Sequence, residues 1–144
     1  MPLLNYTTTI QATKTINEIQ NILAKHGAHS ILTNYDADGH VEALAFQVAT
    51  SYGDLSIRLP VDPDAVLKIL ERQGVPRTYQ NRPQAIRVAW RIVKNWIDAQ
   101  MAILETDMVK MEQVFLPYVI THNGKTVYQV MMDSRFQLKE GKSE

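Results

Sequence analysis

One stretch near the middle of the chain decides the fold: residues 81–97, which read NRPQAIRVAWRIVKNWI. Asn81, followed three residues later by Gln84, has the pattern of a capping box, which starts a helix. From there apolar residues recur every three or four positions, and no Gly or Pro interrupts them before Pro117. This spacing predicts a long third helix over residues 82–113. Its apolar stripe consists of Ile86, Trp90, Val93, Ile97, Met101, Leu104, Met108, Met111 and Phe115.

A helix of that extent would be about 48 Å long at 1.5 Å per residue. Because a domain of this size is narrower than that, the helix must bend, break or protrude. Its first half is apolar on two sides, which predicts the core helix. Its second half has one narrow stripe that needs a cover, so we expect a homo-oligomer, with the protein's own core as the alternative. The predicted oligomer interface consists of Ile97, Met101, Leu104, Met108, Met111 and Phe115.

Three apolar runs lie upstream of this helix, at residues 30–35, 41–50 and 55–59. Turn residues separate them, with an Asp and a Gly in each turn. Short strands joined by tight turns form an antiparallel meander. The sequence therefore predicts three consecutive antiparallel strands.

Two helices and a further strand complete the N-terminal half. Alternating residues over 4–10 predict a short strand. Thr15 and Glu18 have capping-box spacing and predict a first helix over about 15–26. Asp62-Pro63 places a capping side chain before a proline at the first helical position, which predicts the start of a second helix.

The C-terminal part contains the strongest short hairpin signal in the chain. Pro117 stops the long helix, and Asn123-Gly124 predicts a β-hairpin over 118–131. Residues 133–144 are polar and predict a flexible tail. We therefore expect a single α+β domain over residues 1–132, in which helices cover an antiparallel sheet. The order of elements that form the sheet region is a strand, a helix and then a three-strand meander.

Composition excludes several classes of protein. The 144 residues contain 15 Lys and Arg, 15 Asp and Glu, and no Cys. A net charge of zero argues against a strongly basic nucleic-acid coat. Without Cys there is no disulfide scaffold, thiol nucleophile or Cys-based metal site. No apolar run is long enough to cross a membrane, and the first residues lack the pattern of a signal peptide, so we expect a cytoplasmic protein.

Catalytic signatures are missing from the sequence. It has no glycine-rich phosphate loop, nucleophile elbow or kinase motif, which argues against an enzyme and gives no reason to expect a cofactor. Residues 36–42 offer four side chains that could bind a metal ion. They do not supply the oxygen ligands of an EF-hand loop at the required positions. The segment therefore predicts a plain hairpin turn and no metal site.

A run of cations without acids is the main functional signal. Between residues 72 and 97 there are six basic residues and no Asp or Glu. On the predicted helix, Arg87, Arg91 and Lys94 share one face. Clustered cations beside aromatic rings bind phosphates and stack on bases. The predicted phosphate-binding or nucleic-acid-binding residues are Arg72, Arg77, Arg82, Arg87, Arg91 and Lys94, with Tyr79 as a stacking residue. The alternative is a solvated helix edge whose acids come from elsewhere in the fold.

Four segments carry a resemblance to a known family: 5–8, 88–96, 99–102 and 114–118. They resemble an uncharacterised family of small proteins from phages and bacterial mobile elements, and the tryptophan-containing segment 88–96 is the most specific. No activity is established for that family. The resemblance implies a phage-encoded protein that handles DNA or counters a host defence.

These observations lead to one functional expectation and two alternatives. We expect a non-enzymatic protein that associates with DNA or RNA through the basic helix face, as an accessory of replication or recombination. One alternative is a counter-defence protein that inhibits a host protein by binding it. The other is a protein that sequesters a nucleotide signal with the same arginines.

Overall fold

The computed structural model describes residues 2–137, which form an α+β fold, as predicted. Its helices and strands are, in chain order, α1 (Ala12–Lys25), β1 (Ala28–Tyr35), β2 (Val41–Thr50), β3 (Gly53–Arg58), α2 (Pro63–Gln73), α3 (Arg82–Glu105), α4 (Met111–Val114) and α5 (Val127–Asp133). Single 3-10 turns lie at Arg77–Tyr79 and Leu116–Tyr118.

The sheet is the predicted antiparallel meander. Its strand order is β1-β2-β3, and Phe46 at the centre of β2 lies opposite Ile31 on one side and Ile57 on the other. Directly opposed residues of antiparallel strands point to the same face. These three side chains therefore define the face of the sheet that packs against the helices.

The main core lies between this face and the helices α1 and α3. Ile19 and Leu23 from α1 and Trp90 and Ile97 from α3 are buried in one cluster with Phe46. The first half of α3 is the core helix that its two apolar sides predicted. A smaller cluster, formed by Leu70, Val75 and Ala85, joins α2 to the start of α3.

The predicted N-terminal strand over residues 4–10 is absent, and this prediction was wrong. The segment forms turns, with Asn5 in the left-handed region at φ 66°. The main-chain carbonyls of Tyr6 and Thr8 accept hydrogen bonds from the side chain of Gln84. Since those carbonyls already have a partner, the segment meets its hydrogen bonds without a neighbouring strand.

The capping box predicted at Thr15 and Glu18 is also absent. The helix α1 begins one turn earlier, at Ala12, so Thr15 lies inside it and is fully buried. Glu18 instead forms an ion pair with Arg91 of α3. Contacts with α3 therefore determine the roles of both side chains.

The long helix predicted over 82–113 is shorter than its apolar stripe. It begins as predicted, because the side chain of Asn81 accepts the N–H of Gln84 at 2.9 Å. It ends at Glu105, and Asp107 lies in the left-handed region at φ 59°. The chain turns back there, and Phe115 then packs against the core. A helix over the whole predicted range would have to bend, break or protrude, and the structure shows that it breaks.

The hairpin predicted over 118–131 is reduced to a turn. A single antiparallel bridge joins Ile120 to Thr126 around Gly124, while Val119 bridges to Ile57 of β3. Thr126 then caps α5, with its hydroxyl accepting the N–H of Gln129 and its own N–H donated to the Gln129 side chain. This capping box starts a helix where the second strand was expected. Of the predicted tail, residues 134–137 follow α5 as a turn, and residues 138–144 lie outside the described part.

Within residues 2–137, no helix combines the length and the apolar character needed to span a membrane. The longest helix, α3, has 24 residues and carries four cations, all within its first 13 residues.

Candidate ligand-binding cleft

Three of the six predicted phosphate-binding cations are held by carboxylates. Nη1 of Arg91 lies 2.8 Å from Oε1 of Glu18, and Nζ of Lys94 lies 2.7 Å from Oδ2 of Asp98. The guanidinium of Arg82 forms an ion pair with Asp64. The fold thus supplies acids to the cations of this window, which is the alternative that the sequence left open.

The remaining residues of the predicted surface differ in exposure. Arg72 and Arg77 are exposed at the end of α2 and in the following 3-10 turn, and neither forms an ion pair within residues 2–137. Tyr79 is half-buried, with its ring edge-on to Tyr6 at a centroid distance of 5.4 Å. The Tyr79 ring therefore packs against Tyr6 and is only partly exposed, whereas the prediction placed it outward for stacking.

Arg87 is the exception among the four cations on α3. Its Nε and Nη2 donate to the side-chain oxygen of Gln84 at 3.0 Å and 2.7 Å. Gln84 is neutral, and no carboxylate of the described residues lies within ion-pair distance of Arg87. This half-buried guanidinium is therefore held in place without a carboxylate to balance its charge.

Arg87 lines a cleft of about 640 Å³. The cleft lies between the first turns of α1 and α3 and the turn that joins β1 to β2. Its apolar wall is formed by Ile16, Val41, Pro83 and Ile86. Ligand-binding clefts of proteins typically have volumes of about 300 to 1,000 Å³, apolar walls and a few placed polar groups.

The polar groups of the cleft favour an anion. Of the residues described, no Asp or Glu lines it and Arg87 does, while the His40 ring, which also lines it, lies 3.8 Å from the carboxylate of Asp36. The first turn of α1 also faces it, and the side chain of Gln11 does not cap that turn. The N–H groups of an uncapped first turn carry partial positive charge and bind anions. The cleft therefore combines one uncancelled cation with a positive helix end.

Other polar side chains of the cleft suit a planar group. Asn17 and Gln20 present amides from one face of α1, at the spacing that brings side chains together on a helix. Tyr35 lies at the end of β1 with 61% of its surface exposed. An exposed tyrosine ring beside two amides can stack on a flat heterocycle and hydrogen-bond to its edge.

The turn at residues 36–40 borders the cleft. Ligand atoms of Asp36, Asp38 and His40 lie within 4.8 Å of one another. One oxygen of Asp36 accepts the main-chain N–H groups of Asp38 and His40, both at 2.9 Å. These hydrogen bonds, the one from His40 first, lower the pKa of Asp36. The carboxylate therefore shapes the hairpin turn, in agreement with the structural role that the sequence predicted for it.

Much of the predicted oligomer interface lies inside the single chain. Ile97, Met101 and Phe115 are buried in the main core, where a second copy cannot reach them. Leu104 and Met111 are half-buried against the same core. Only Met108 is largely exposed, at 70%. The stripe is covered because the chain turns back after α3, so its need for a cover is no longer an argument for an oligomer, and self-association stays a prediction.

Sequence reasoning singled out Arg87 but missed the residues around it. Asn17, Gln20 and Tyr35 come from separate elements, and nothing in their local sequence connects them. Gln84 was recognised as part of a capping box, and its capping N–H is present. Its side chain also contacts Arg87, three residues later on the same helix, and the N-terminal segment, and only the second of these contacts lies beyond the reach of a local pattern.

No family model, curated protein or solved structure matches this chain. The resemblance to small phage proteins therefore stays a prediction, and the function is argued from the residues of the cleft.

Proposed function

We propose that this protein is a non-enzymatic, cytoplasmic binding protein for a small phosphate-bearing ligand of the nucleotide class, which occupies the cleft. The observation that carries this proposal is the guanidinium of Arg87, held without a carboxylate in a cleft of about 640 Å³. Among the functions that the sequence left open, it corresponds to the sequestration of a nucleotide.

The phosphate end of the ligand lies at Arg87. A guanidinium has five N–H donors, and Gln84 accepts two of them, so three remain for a ligand. Guanidinium donors match the oxygens of a phosphate in geometry and charge. In the first turn of α1, the main-chain N–H groups of Lys14 and Thr15 donate to the carbonyl oxygen of Gln11, which leaves those of Ala12 and Thr13 as further donors at the cleft.

The base end of the ligand lies against the apolar wall. Ile16 and Ile86 offer a surface for a flat ring, and Tyr35 can stack on its other side. The amides of Asn17 and Gln20 each provide both donors and acceptors, so they can bind the polar edge of a nucleobase. An inorganic anion would leave this wall unused.

The geometry favours this ligand over a nucleic-acid strand. Binding to a strand gains affinity from several phosphate contacts along one surface. Arg82, Arg91 and Lys94 are already paired with carboxylates, so the basic face of α3 offers Arg87 alone. Inhibition of a host protein through the apolar stripe would likewise depend on Met108, since most of the stripe is buried.

Calorimetric titration with nucleotides tests the proposal. The panel consists of the four nucleoside 5′-monophosphates, the matching nucleosides and cyclic dinucleotides. We expect at least one phosphate-bearing member to bind, its nucleoside to bind at least tenfold more weakly, and Arg87→Gln to weaken binding at least tenfold. The matched control is Arg77→Gln, which removes the same charge from an exposed residue outside the cleft and should leave the affinity unchanged.

Two results would overturn the proposal. One is equal binding by the wild type and Arg87→Gln. The other is an absence of binding across the panel, combined with salt-dependent binding of DNA or RNA that falls in Arg72→Gln and Arg77→Gln. That second result would return the function to nucleic-acid association.

A further inference from the structure

We infer that Gln84 is a positioning residue, which orients Arg87 toward the cleft without cancelling its charge. This inference rests on the proposed function of the cleft and concerns how its cation is presented. The side chain of Gln84 is buried, with 4% of its surface exposed, although it is polar. A buried polar side chain is stable only when its hydrogen bonds are made.

The amide of Gln84 uses its full hydrogen-bonding capacity. Its Nε2 donates to the carbonyl oxygens of Tyr6 at 2.8 Å and Thr8 at 3.0 Å. Its Oε1 accepts from Nε and Nη2 of Arg87. A carboxamide offers two donor protons and an oxygen with two lone pairs, so four partners satisfy it.

The two carbonyls fix which way the amide points. If it were rotated by half a turn, its oxygen would face the carbonyls of Tyr6 and Thr8, and its protons would face the guanidinium. Both contacts would be repulsive. The N-terminal segment therefore sets the orientation in which Gln84 presents its oxygen to Arg87.

The only other side chain with a carboxamide is asparagine, which is shorter by one methylene group. A glutamate accepts from Arg87 but cannot donate to the two carbonyls, and its charge would cancel that of the guanidinium. A methionine of similar size does neither. A lysine donates but cannot accept. Only a neutral group with both donors and an acceptor joins the carbonyls to the cation.

The other cations of α3 provide an internal comparison. Arg82, Arg91 and Lys94 are held by Asp64, Glu18 and Asp98, so the fold fixes each of them with an opposite charge. Among these four cations of α3, Arg87 is the one that forms no ion pair with a carboxylate of the described residues, and it is the one that lines the cleft. The cation that lines the cleft is therefore also the cation that a neutral side chain holds in place.

Two variants of Gln84 separate its effect on the orientation of Arg87 from the effect of its neutral charge. Gln84→Met removes every hydrogen bond of the amide, and Gln84→Glu keeps the acceptor while adding a charge. The matched control is Gln100→Glu, which adds the same charge to the same helix about 24 Å away along its axis, at 1.5 Å per residue. Unfolding in urea, followed by circular dichroism, establishes that each variant is folded before it is compared.

The first measurement is the exchange rate of the Arg87 Nε–H with solvent, read by NMR and assigned through the loss of its signal in Arg87→Gln. We expect slow exchange in the wild type and in Gln84→Glu, and exchange at the rate of an exposed arginine in Gln84→Met. Slow exchange in Gln84→Met would overturn the inference, because Arg87 would then be held by another group. Fast exchange of the Arg87 Nε–H in the wild type would also overturn the inference. This measurement needs no variant of Gln84, so it decides the matter even if both variants unfold.

The second measurement is the affinity for adenosine 5′-monophosphate and for inorganic phosphate. We expect Gln84→Met to weaken binding about tenfold through lost orientation, and Gln84→Glu to weaken it further because the carboxylate competes with phosphate. Wild-type affinity in Gln84→Glu would overturn the claim that a neutral support is required. Failure of the proposed function looks different: Arg87→Gln would then bind as the wild type does, while the exchange rate would still report on Gln84.

Discussion

Arg91 of α3 and Glu18 of α1 join the two core helices through an ion pair of 2.8 Å between Nη1 and Oε1. The same nitrogen of Arg91 donates to the hydroxyl of Thr15 at 3.3 Å. Both charged side chains are sheltered, with 17% of Arg91 and 33% of Glu18 exposed. The guanidinium lowers the pKa of Glu18 through a hydrogen bond and through its charge.

This pair predicts a stability difference that depends on pH. Because the pKa of Glu18 is lower in the folded than in the unfolded state, its carboxylate stabilises the fold above the unfolded pKa, and this contribution is lost as the pH falls through the folded pKa. We expect Glu18→Gln to lower the free energy of unfolding by up to about 1 kcal/mol at neutral pH. The difference from the wild type should shrink as the pH falls from 7 toward 3, in urea denaturation followed by circular dichroism.

Glu112→Gln removes a carboxylate that forms no ion pair within residues 2–137 and serves as the control. A double-mutant cycle of Glu18→Gln with Arg91→Gln isolates the coupling between the two side chains. A difference that stays constant from pH 7 to pH 3, or a coupling of zero, would show that the ion pair does not stabilise the protein.

His26 predicts a dependence on pH of the opposite sign. Its Nδ1 lies 2.8 Å from the carbonyl oxygen of Ile22, and its Nε2 lies 3.2 Å from a carboxylate oxygen of Glu105. Both neighbours are acceptors, so the ring satisfies both only when it is protonated on both nitrogens. The hydrogen bond to Ile22, followed by Glu105, raises the pKa of His26.

A raised folded pKa stabilises the fold below the unfolded pKa, and the contribution is lost as the pH rises through the folded pKa. We therefore expect His26→Gln to destabilise the protein more at about pH 5.5 than at about pH 8.5. NMR titration of the ring should give a pKa above that of a free histidine, and Glu105→Gln should lower it. His122→Gln, at an exposed turn, is the control. A ring that titrates below the ordinary value would contradict the assignment.

Phe115 and Met108 test whether the chain turns back after α3. Phe115 is fully buried and lies edge-on to Phe46 and Trp96, at centroid distances of 5.6 Å and 5.5 Å. We expect Phe115→Ala to cost about 3 to 5 kcal/mol of unfolding free energy, and Met108→Ala to change it by less than about 0.5 kcal/mol. Urea denaturation at two protein concentrations measures both. A large, concentration-dependent loss in Met108→Ala would instead favour the homo-oligomer.

Asp107 tests the break in the long helix. At φ 59° it has a backbone conformation that glycine adopts without strain and alanine does not. We expect Asp107→Gly to raise the free energy of unfolding by up to about 1 kcal/mol, and Asp107→Ala to lower it by about the same amount. Thermal unfolding of the two variants measures the difference. The reverse order would indicate that the helix continues through residue 107.

The local signals that the sequence carries were sufficient for most of the fold. Alternation and turn residues predicted the meander, and Asp62 and Asn81 marked the starts of α2 and α3, where their side chains accept N–H groups of the first turn. These features depend on neighbouring residues only. The candidate site was predictable only as far as Arg87, because most of the other residues that line the cleft lie on other elements.

The sequence by itself determined the three-strand meander and the starts of α2 and α3, because caps, turns and periodic apolar residues act over a few positions. The tertiary structure decided where α3 ends and which acids of other elements reach its cations, whereas the helix α5, in place of the second hairpin strand, begins at a local capping box of Thr126 and Gln129. Phe115 is buried beside Phe46, far away in the chain, and this packing makes the break after Glu105 favourable. Likewise, the ion pair between Glu18 of α1 and Arg91 of α3 depends on the packing of two helices, which no local pattern encodes, whereas Arg87 is held by Gln84 of its own helix.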